Sequence, residues 1–197
     1  MKTSRFQKRY SIVIAVAFVA ATTTYLAGQA APALAAPGPG AASATAQMST
    51  PIISEMKQFY TIRKGDLLKA ADRMPADAYD FKPTPEVRTF AQLLAHITDA
   101  QMGFCSAVKG EPRSINAGSM TAKSELVAAL KASFDECDSA FDTMTDVTAS
   151  QMLKAGNSQR SKLGTLLYAT LHDNEEYGYL AMYLRLKGLV PPSTDSR

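Results

Sequence analysis

Long hydrophobic runs are scarce in this chain of 197 residues. The most apolar run, SIVIAVAFVAA at residues 11–21, is about half as long as the ~20 residues that a membrane-spanning helix needs. Four basic residues precede the run, and the small residues ALA follow it at positions 33–35. This order predicts a secretory signal peptide over residues 1–35. An uncleaved membrane anchor is the alternative, and no cysteine lies near the cleavage site to carry a lipid.

A strong excess of charge of one sign is missing from the rest of the chain. The whole sequence holds 21 basic and 18 acidic side chains, a net charge of +3. Residues 1–35 contain four basic and no acidic residues, so the remaining 162 residues hold 17 and 18, a net charge of −1. A nucleic-acid surface needs a cluster of Lys and Arg, so the charge argues against nucleic acid as a partner. Residues 36–50 are rich in Ala, Pro, Gly and Ser and predict a flexible linker.

Strand-like alternation of apolar and polar residues is also lacking, and helical periodicity takes its place. Four segments repeat apolar residues at three- and four-residue spacing: 51–72, 89–110, 121–144 and 161–187. Pro51 at the first helical position and Gly110 and Gly188 beyond two helix ends support these limits. The pattern predicts an all-α four-helix bundle over residues 51–192, with a short tail at 193–197.

Cysteine is limited to Cys105 and Cys137, so a single disulfide is the most the chain can form. Each is the seventeenth residue from the start of its predicted helix. The loop at 110–120, about 36 Å when extended, is long enough to run the ~32 Å length of the second helix. Parallel second and third helices would then place both cysteines at one depth. A disulfide is one expectation, and two buried free thiols are the other.

Histidine is equally rare, and both His96 and His172 fall inside predicted helices. Glu176 follows His172 by one helical turn, so the two side chains can meet around one cation. The same spacing also describes an ordinary ion pair. Two imidazoles and one carboxylate, with His96 contributed by a facing helix, suit zinc or non-haem iron.

The last predicted helix carries two stripes. The periodicity assigns the buried face to five residues, Leu163, Leu167, Leu171, Gly178 and Ala181. A second stripe mixes aromatic and ionisable side chains, namely Tyr168, His172, Glu176, Tyr179 and Tyr183. That second stripe is typical of a wall that faces a ligand. It is equally typical of amphipathic side chains at the boundary between core and surface.

Two stretches, YDFKPTPEVRTFAQLLAHITDAQMGFC at 79–105 and LHDNEEYGYLAMYLRLKGLVPP at 171–192, resemble the DinB-like (DinB/YfiT) superfamily. The resemblance implies a four-helix bundle with up-down-down-up connectivity. It also implies a divalent metal held by one histidine of the second helix and an H-x-x-x-H pair of the fourth. These positions correspond to His96, His172 and residue 176, where this chain has glutamate, which can bind the same ions through oxygen. Glu175 matches a family glutamate and is a candidate to hydrogen-bond a ligand.

The residues and the resemblance together predict an exported protein, periplasmic or secreted, that binds one divalent metal through His96, His172 and Glu176. Zinc is favoured, with nickel, iron and manganese as alternatives. The resemblance implies a small-molecule substrate and transferase or hydrolase chemistry, with no catalytic residue assigned. No nucleic acid and no stable membrane association after cleavage are expected, and a homodimer is an option. The alternative is a non-catalytic binding or stress-associated module with a degenerate metal site.

Overall fold

The computed structural model describes residues 51–195. The predicted signal peptide over residues 1–35 and the predicted linker over residues 36–50 therefore lie outside the described residues. Within residues 51–195, no helix has both the length and the apolar character needed to cross a lipid bilayer.

Five α-helices and one β-hairpin make up the described chain. The elements are α1 (Pro51–Arg73), α2 (Phe90–Lys109), α3 (Lys123–Asp142), α4 (Asp146–Ala149), β1 (Met152–Ala155), β2 (Ser158–Ser161) and α5 (Lys162–Leu186). Single-turn 3₁₀ helices lie at Ala76–Ala78, Ala117–Ser119 and Pro192–Thr194. The four long helices, α1, α2, α3 and α5, begin and end within two residues of the predicted limits.

Local signals explain these limits best at α2. The Thr89 hydroxyl accepts a hydrogen bond from the amide of Gln92, and the Gln92 side chain accepts one from the amide of Thr89. This reciprocal pair satisfies two amides that the first helical turn leaves free. At the other end, Gly110 has φ +87°, the left-handed conformation that glycine adopts without strain.

The β-hairpin corrects the sequence-based expectation that the chain has no strands. Four residue pairs join β1 to β2 in antiparallel register. Gly156 is the first of the two residues that connect the strands, and its φ is +61°, as a two-residue turn with glycine first requires. The strands are short and partly or fully exposed, so they lack the alternation that marks a strand in sequence. The Gly156-Asn157 pair was the available signal.

The four long helices surround a common core. Helix α2 packs against α3 and α5, and α1 packs against the same two helices. All four contribute fully buried large side chains: Tyr60, Leu67, Phe90, Leu94, Ile97, Leu126, Leu130, Phe134, Leu166, Leu180 and Leu184. Each long helix therefore has two long neighbours and one inward face.

Polar contacts show which ends of α1 and α3 meet. Near the start of α1, Lys57 forms an ion pair with Asp142, the last residue of α3. At the other end, the Lys123 ammonium donates 2.7 Å hydrogen bonds to the carbonyls of Asp72 and Met74. The first turns of α1 thus lie beside the last turn of α3, and the end of α1 lies beside the start of α3.

The C-terminal part of α5 meets the start of α2 and leads to the end of α1. The Tyr183 hydroxyl donates a 2.6 Å hydrogen bond to the carbonyl of Arg88, two residues before α2 begins. Beyond α5, Asp195 forms a 2.9 Å ion pair with Arg73, the last residue of α1. Asp195, which belongs to the predicted tail at 193–197, therefore binds to α1.

A disulfide joins α2 to α3. Cys105 and Cys137 are bonded, and their Cα atoms lie 4.9 Å apart. Both residues are buried. The prediction that these two cysteines can pair is confirmed, and the bridge connects the C-terminal halves of the two helices.

The expected buried face of α5 is wrong at three of its five positions, whereas Leu163 and Ala181 are partly buried and pack against the core. Leu167 is 44% exposed and Leu171 is 57% exposed, and Gly178 also faces outward. The buried residues are Thr165, Leu166, Ala169, Asp173, Glu176, Tyr177, Leu180, Tyr183 and Leu184. The periodicity was misleading because two carboxyl side chains lie on the inward face while two leucines lie outside it.

Candidate metal centre

The interface of α2 and α5 brings together the three residues that the sequence singled out as metal ligands. The Nε2 atoms of His96 and His172 lie 3.1 Å apart. Glu176 Oε1 lies 3.5 Å from Nε2 of His96 and 3.6 Å from Nε2 of His172. Among residues 51–195, these three form the group of His, Cys, Asp and Glu side chains whose geometry could hold a metal ion.

The helices place these side chains at the edge of the core. His172 and Glu176 are one turn apart on α5, so their side chains project from the same face. The exposed fractions of the side chains are 8% for Glu176, 15% for His172 and 37% for His96. The group is therefore buried on the α5 side and reached by solvent on the side of His96.

The three interatomic distances fit a divalent metal. Tetrahedral zinc binds nitrogen and oxygen at 2.0–2.2 Å, which places neighbouring ligand atoms about 3.3–3.5 Å apart. The observed separations of 3.1, 3.5 and 3.6 Å enclose that range. Imidazole nitrogen and carboxylate oxygen are both ligands of zinc and of iron, nickel and manganese. Three protein ligands also leave a coordination position for water or substrate.

The electrostatics of the group favour neutral imidazole. Burial lowers the pKa of His172, and the nearby His96 and Arg88 act in the same direction, while Glu175 opposes them. Burial raises the pKa of Glu176, and His96 and Arg88 partly offset that rise. Neutral imidazole is the form that binds a metal, and only one of the two Nε2 atoms can donate in the 3.1 Å contact between them.

Several buried polar atoms at the centre have no hydrogen-bond partner within the described residues. They include Nδ1 of His172, Oε2 of Glu176 and both carboxyl oxygens of Asp173. Asp173 is fully buried, and burial raises the pKa of its carboxyl well above the ordinary value, with Arg63 opposing the rise. Sequence reasoning missed Asp173, although it directly follows His172 and lies about 100° further round the helix, towards the core.

Glu175 does not contact the ligands. It is exposed, and it accepts a 3.3 Å hydrogen bond from the Tyr179 hydroxyl. Its negative charge nevertheless raises the pKa of both His172 and Glu176. The structure thus gives Glu175 an electrostatic influence on the centre rather than the hydrogen bond that the resemblance suggested.

Aromatic rings border one side of the centre. The Phe104 ring lies 6.0 Å from the His172 ring and 5.3 Å from the Tyr168 ring, edge to face in both cases. Arg160 of β2 covers the outer face of Tyr168, with its guanidinium carbon 4.1 Å from the ring centre. The β-hairpin therefore supports the wall beside His172.

A cleft of about 790 Å³ lies between the loop before α2, the start of α2 and the C-terminal part of α5, and none of the three candidate ligands lines it. Its lining includes Leu93, one turn before His96 on α2, and Tyr179 and Tyr183, one and two turns after Glu176 on α5. A volume of this size is typical of small-molecule sites.

The family model of the DinB superfamily matches residues 58–180, which is more than half of the chain. The chain belongs to the DinB superfamily. Among solved structures, it is similar to a DinB-like protein from Bacillus cereus ATCC 10987, with 16% identity, a TM-score of 0.62, and coverage of 71% of this chain and 95% of that one. A DinB-like protein from Bacillus subtilis gives 17% identity and a TM-score of 0.57, with coverage of 71% and 92%.

A mutant of mycothiol-dependent maleylpyruvate isomerase is also similar to this DinB superfamily member. The identity is 15%, the TM-score is 0.53, and the match covers 67% of this chain and 65% of that one. No curated protein matches the chain significantly. At these identities, the structural likeness shows the shared fold.

Proposed function

We propose that this DinB superfamily protein binds one divalent metal ion through His96, His172 and Glu176 and uses it in transferase or hydrolase chemistry on a small molecule. The proposal rests on one observation, the 3.1–3.6 Å triangle of two imidazole nitrogens and one carboxylate oxygen. Zinc is the favoured ion, and nickel, iron and manganese are alternatives. When bound, such an ion supplies Lewis acidity and lowers the pKa of a coordinated water or thiol.

The chain's own residues have distinct roles in this proposal. The lowered pKa of His172 keeps a nitrogen lone pair free at neutral pH. Glu176 provides the negative charge, and its burial excludes water from the side of α5. His96 is the most exposed of the three, so an incoming molecule approaches beside it.

The substrate class is proposed from the cleft beside the three ligands rather than from the structural neighbours. The isomerase neighbour depends on mycothiol, but its 15% identity to this chain supports a common fold alone. The cleft of about 790 Å³ has the size of a small-molecule site, and its lining residues Leu93 and Tyr179 lie one helical turn from His96 and Glu176.

We also propose the up-down-down-up connectivity for the four long helices. Opposite ends of α1 and α3 meet at Lys57 and Lys123, which supports antiparallel packing. The disulfide links the C-terminal halves of α2 and α3, which supports parallel packing. The hydrogen bond from Tyr183 to Arg88 supports antiparallel α2 and α5.

Export to the periplasm or medium, and a homodimer as the assembly, stay predictions. N-terminal sequencing of the exported protein tests the first. We expect the exported protein to begin near Ala36. A protein in the membrane fraction that still begins with Met1 would indicate a membrane anchor. Light scattering on the purified protein distinguishes monomer from dimer.

Elemental analysis tests the metal. The protein is purified without chelator and without a histidine tag, and about one equivalent of a transition metal per chain is expected. The exposed substitution Glu175→Gln serves as the control, because it changes a nearby charge without removing a ligand. Absence of metal, with no uptake on titration with zinc, nickel, iron or manganese, would favour the alternative function, a non-catalytic module. One observation fits that alternative: the two imidazoles already hydrogen-bond each other at 3.1 Å.

A further inference from the structure

The cleft next to α2 and α5 is lined by one cationic side chain. Arg88 lines it, two residues before α2 begins. Within residues 51–195, the Arg88 guanidinium has no hydrogen bond or ion-pair partner, and the Arg88 carbonyl is its hydrogen-bonded group. An arginine without a carboxylate partner is available to a ligand.

The backbone of Arg88 is held in place. The Tyr183 hydroxyl donates a 2.6 Å hydrogen bond to its carbonyl and so ties the loop before α2 to the last turns of α5. Tyr183 itself lies two turns beyond Glu176 on α5 and is 6% exposed. The backbone of Arg88 is therefore held beside the part of α5 that lies two turns, about 10 Å along the helix axis, beyond Glu176.

One acidic residue, Glu86, lines the same cleft as Arg88. Glu86, the acidic residue that lines the cleft, is hydrogen-bonded to the Thr84 side chain, and this bond lowers its pKa. Glu86 thus has a partner of its own, and among residues 51–195 it forms no ion pair with Arg88.

The rest of the cleft lining is largely apolar. Leu93 comes from α2, and Tyr179 and Met182 come from α5. Tyr179 and Met182 are 47% and 57% exposed, so both present ring or thioether surface to an incoming molecule. One cationic group and an apolar wall match a monoanion with an apolar body better than a multiply charged phosphate.

We propose that Arg88 is the anion-binding residue of this cleft and that the substrate is a small carboxylic acid with an aromatic or aliphatic body. The inference rests on the proposed function, because the reacting end of such a molecule points to His96, His172 and Glu176. Arginine suits a carboxylate because its planar fork donates two parallel hydrogen bonds. The body packs on Leu93, Tyr179 and Met182.

Binding of a matched pair of probes tests the inference on metal-free protein. The probes are 3-phenylpropionate and its neutral isostere 3-phenylpropanamide, and calorimetry measures both dissociation constants after dialysis against chelator. The wild-type protein should bind the acid about tenfold or more tightly than the amide, as a charge-assisted bidentate contact implies. Arg88→Ala should abolish that preference and change amide binding by less than about twofold.

Two further variants control for charge and geometry. Lys131→Ala removes one positive charge from an exposed position on α3, outside the cleft, and should leave the acid preference intact. Arg88→Lys keeps the charge but loses the planar fork and should retain a preference weaker than that of wild type. Circular dichroism establishes that each variant is folded.

The outcomes separate this inference from the metal proposal. If the acid fails to bind, binds no better than the amide, or keeps its preference in Arg88→Ala, the role of Arg88 is overturned, whatever the metal analysis finds. If the preference appears only after zinc is added and survives Arg88→Ala, the carboxylate binds the metal instead, which also overturns it. A preference lost in Arg88→Ala supports the inference even if the protein binds no metal.

Discussion

The two sides of α2 differ in chemistry although they belong to one helix. Towards α3, Cys105 forms the disulfide, and Lys109 lies 3.0 Å from a Glu136 carboxylate oxygen in an ion pair. Towards α5, His96 meets His172 and Glu176 in a group with unpartnered buried atoms. The first side carries a covalent link and an ion pair between helices, whereas the second brings three potential metal ligands within 3.1–3.6 Å of one another. The comparison suggests that one side of α2 stabilises the fold and the other carries the function.

Removing the disulfide should produce the largest effect, on stability alone. The bridge closes a loop with a sequence separation of 32 residues, for which the chain-entropy model gives about 3–4 kcal/mol. We expect Cys105→Ala together with Cys137→Ala to lower the free energy of unfolding by about that amount in urea denaturation. Zinc stoichiometry, measured below the unfolding transition, should not change. Loss of the metal at unchanged stability would contradict the division between the two sides of α2.

Removing His172 should weaken zinc binding, which the loss of the disulfide should leave unchanged. His172→Ala deletes one of three protein ligands, and we expect zinc affinity to fall about 100-fold or more, since loss of a mere hydrogen-bond partner to a ligand already costs 10–100-fold. Competition with a chromogenic chelator measures the affinity. Phe104→Leu, which alters the neighbouring ring but no ligand, is the control. Equal affinity in His172→Ala and wild type would rule out the three-residue site.

Substitutions at Glu176 should have a graded, smaller effect. Glu176→Gln keeps the shape but loses the charge, and zinc affinity should fall about tenfold. Glu176→His supplies the nitrogen ligand that the family pattern has at this position, and affinity should be kept or increased. The same chelator competition ranks the two variants. A loss of affinity in Glu176→His as large as in Glu176→Gln would mean that the site depends on oxygen at position 176.

The sequence predicted some of these features well because their signals are local. Thr89 and Gly110 mark the ends of α2 through capping and left-handed backbone conformation, which depend on residues next to each other. The meeting of His96 with His172 joins residues 76 positions apart. The residues alone left this meeting as one option, because spacing along one helix says nothing about the facing helix, and the resemblance made it the expectation.

The sequence failed where polarity and burial disagree. The periodicity assigned Leu167 and Leu171 to the core of the last helix, but both are exposed, while Asp173 and Glu176 are buried. A helical pattern ranks positions by hydrophobicity, so it cannot place a carboxyl that the tertiary structure turns inward. The β-hairpin was missed for a related reason, since its strands bury too little surface to show alternation.

Substitution of Asp173 should give the smallest effect, and it tests whether the buried carboxyl next to His172 on α5 lowers stability. Burial raises the pKa of its carboxyl well above the ordinary 3.8, so the folded state favours the protonated form. The stabilising contribution of such a group is fully present below the unfolded pKa and is lost as pH rises towards the folded pKa.

Asp173→Asn does not titrate, and it should therefore be more stable than wild type at pH 7, by on the order of 1 kcal/mol. The advantage should shrink as pH falls towards 4, where the folded wild-type carboxyl is protonated and the unfolded one is about half protonated. Urea denaturation of metal-free protein at pH 4, 5.5 and 7 measures the difference, with Asp135→Asn on α3 as an exposed control. A variant that is destabilised at pH 7, and progressively less so towards pH 4, would instead indicate that Asp173 is ionised in the folded protein and stabilised by Arg63.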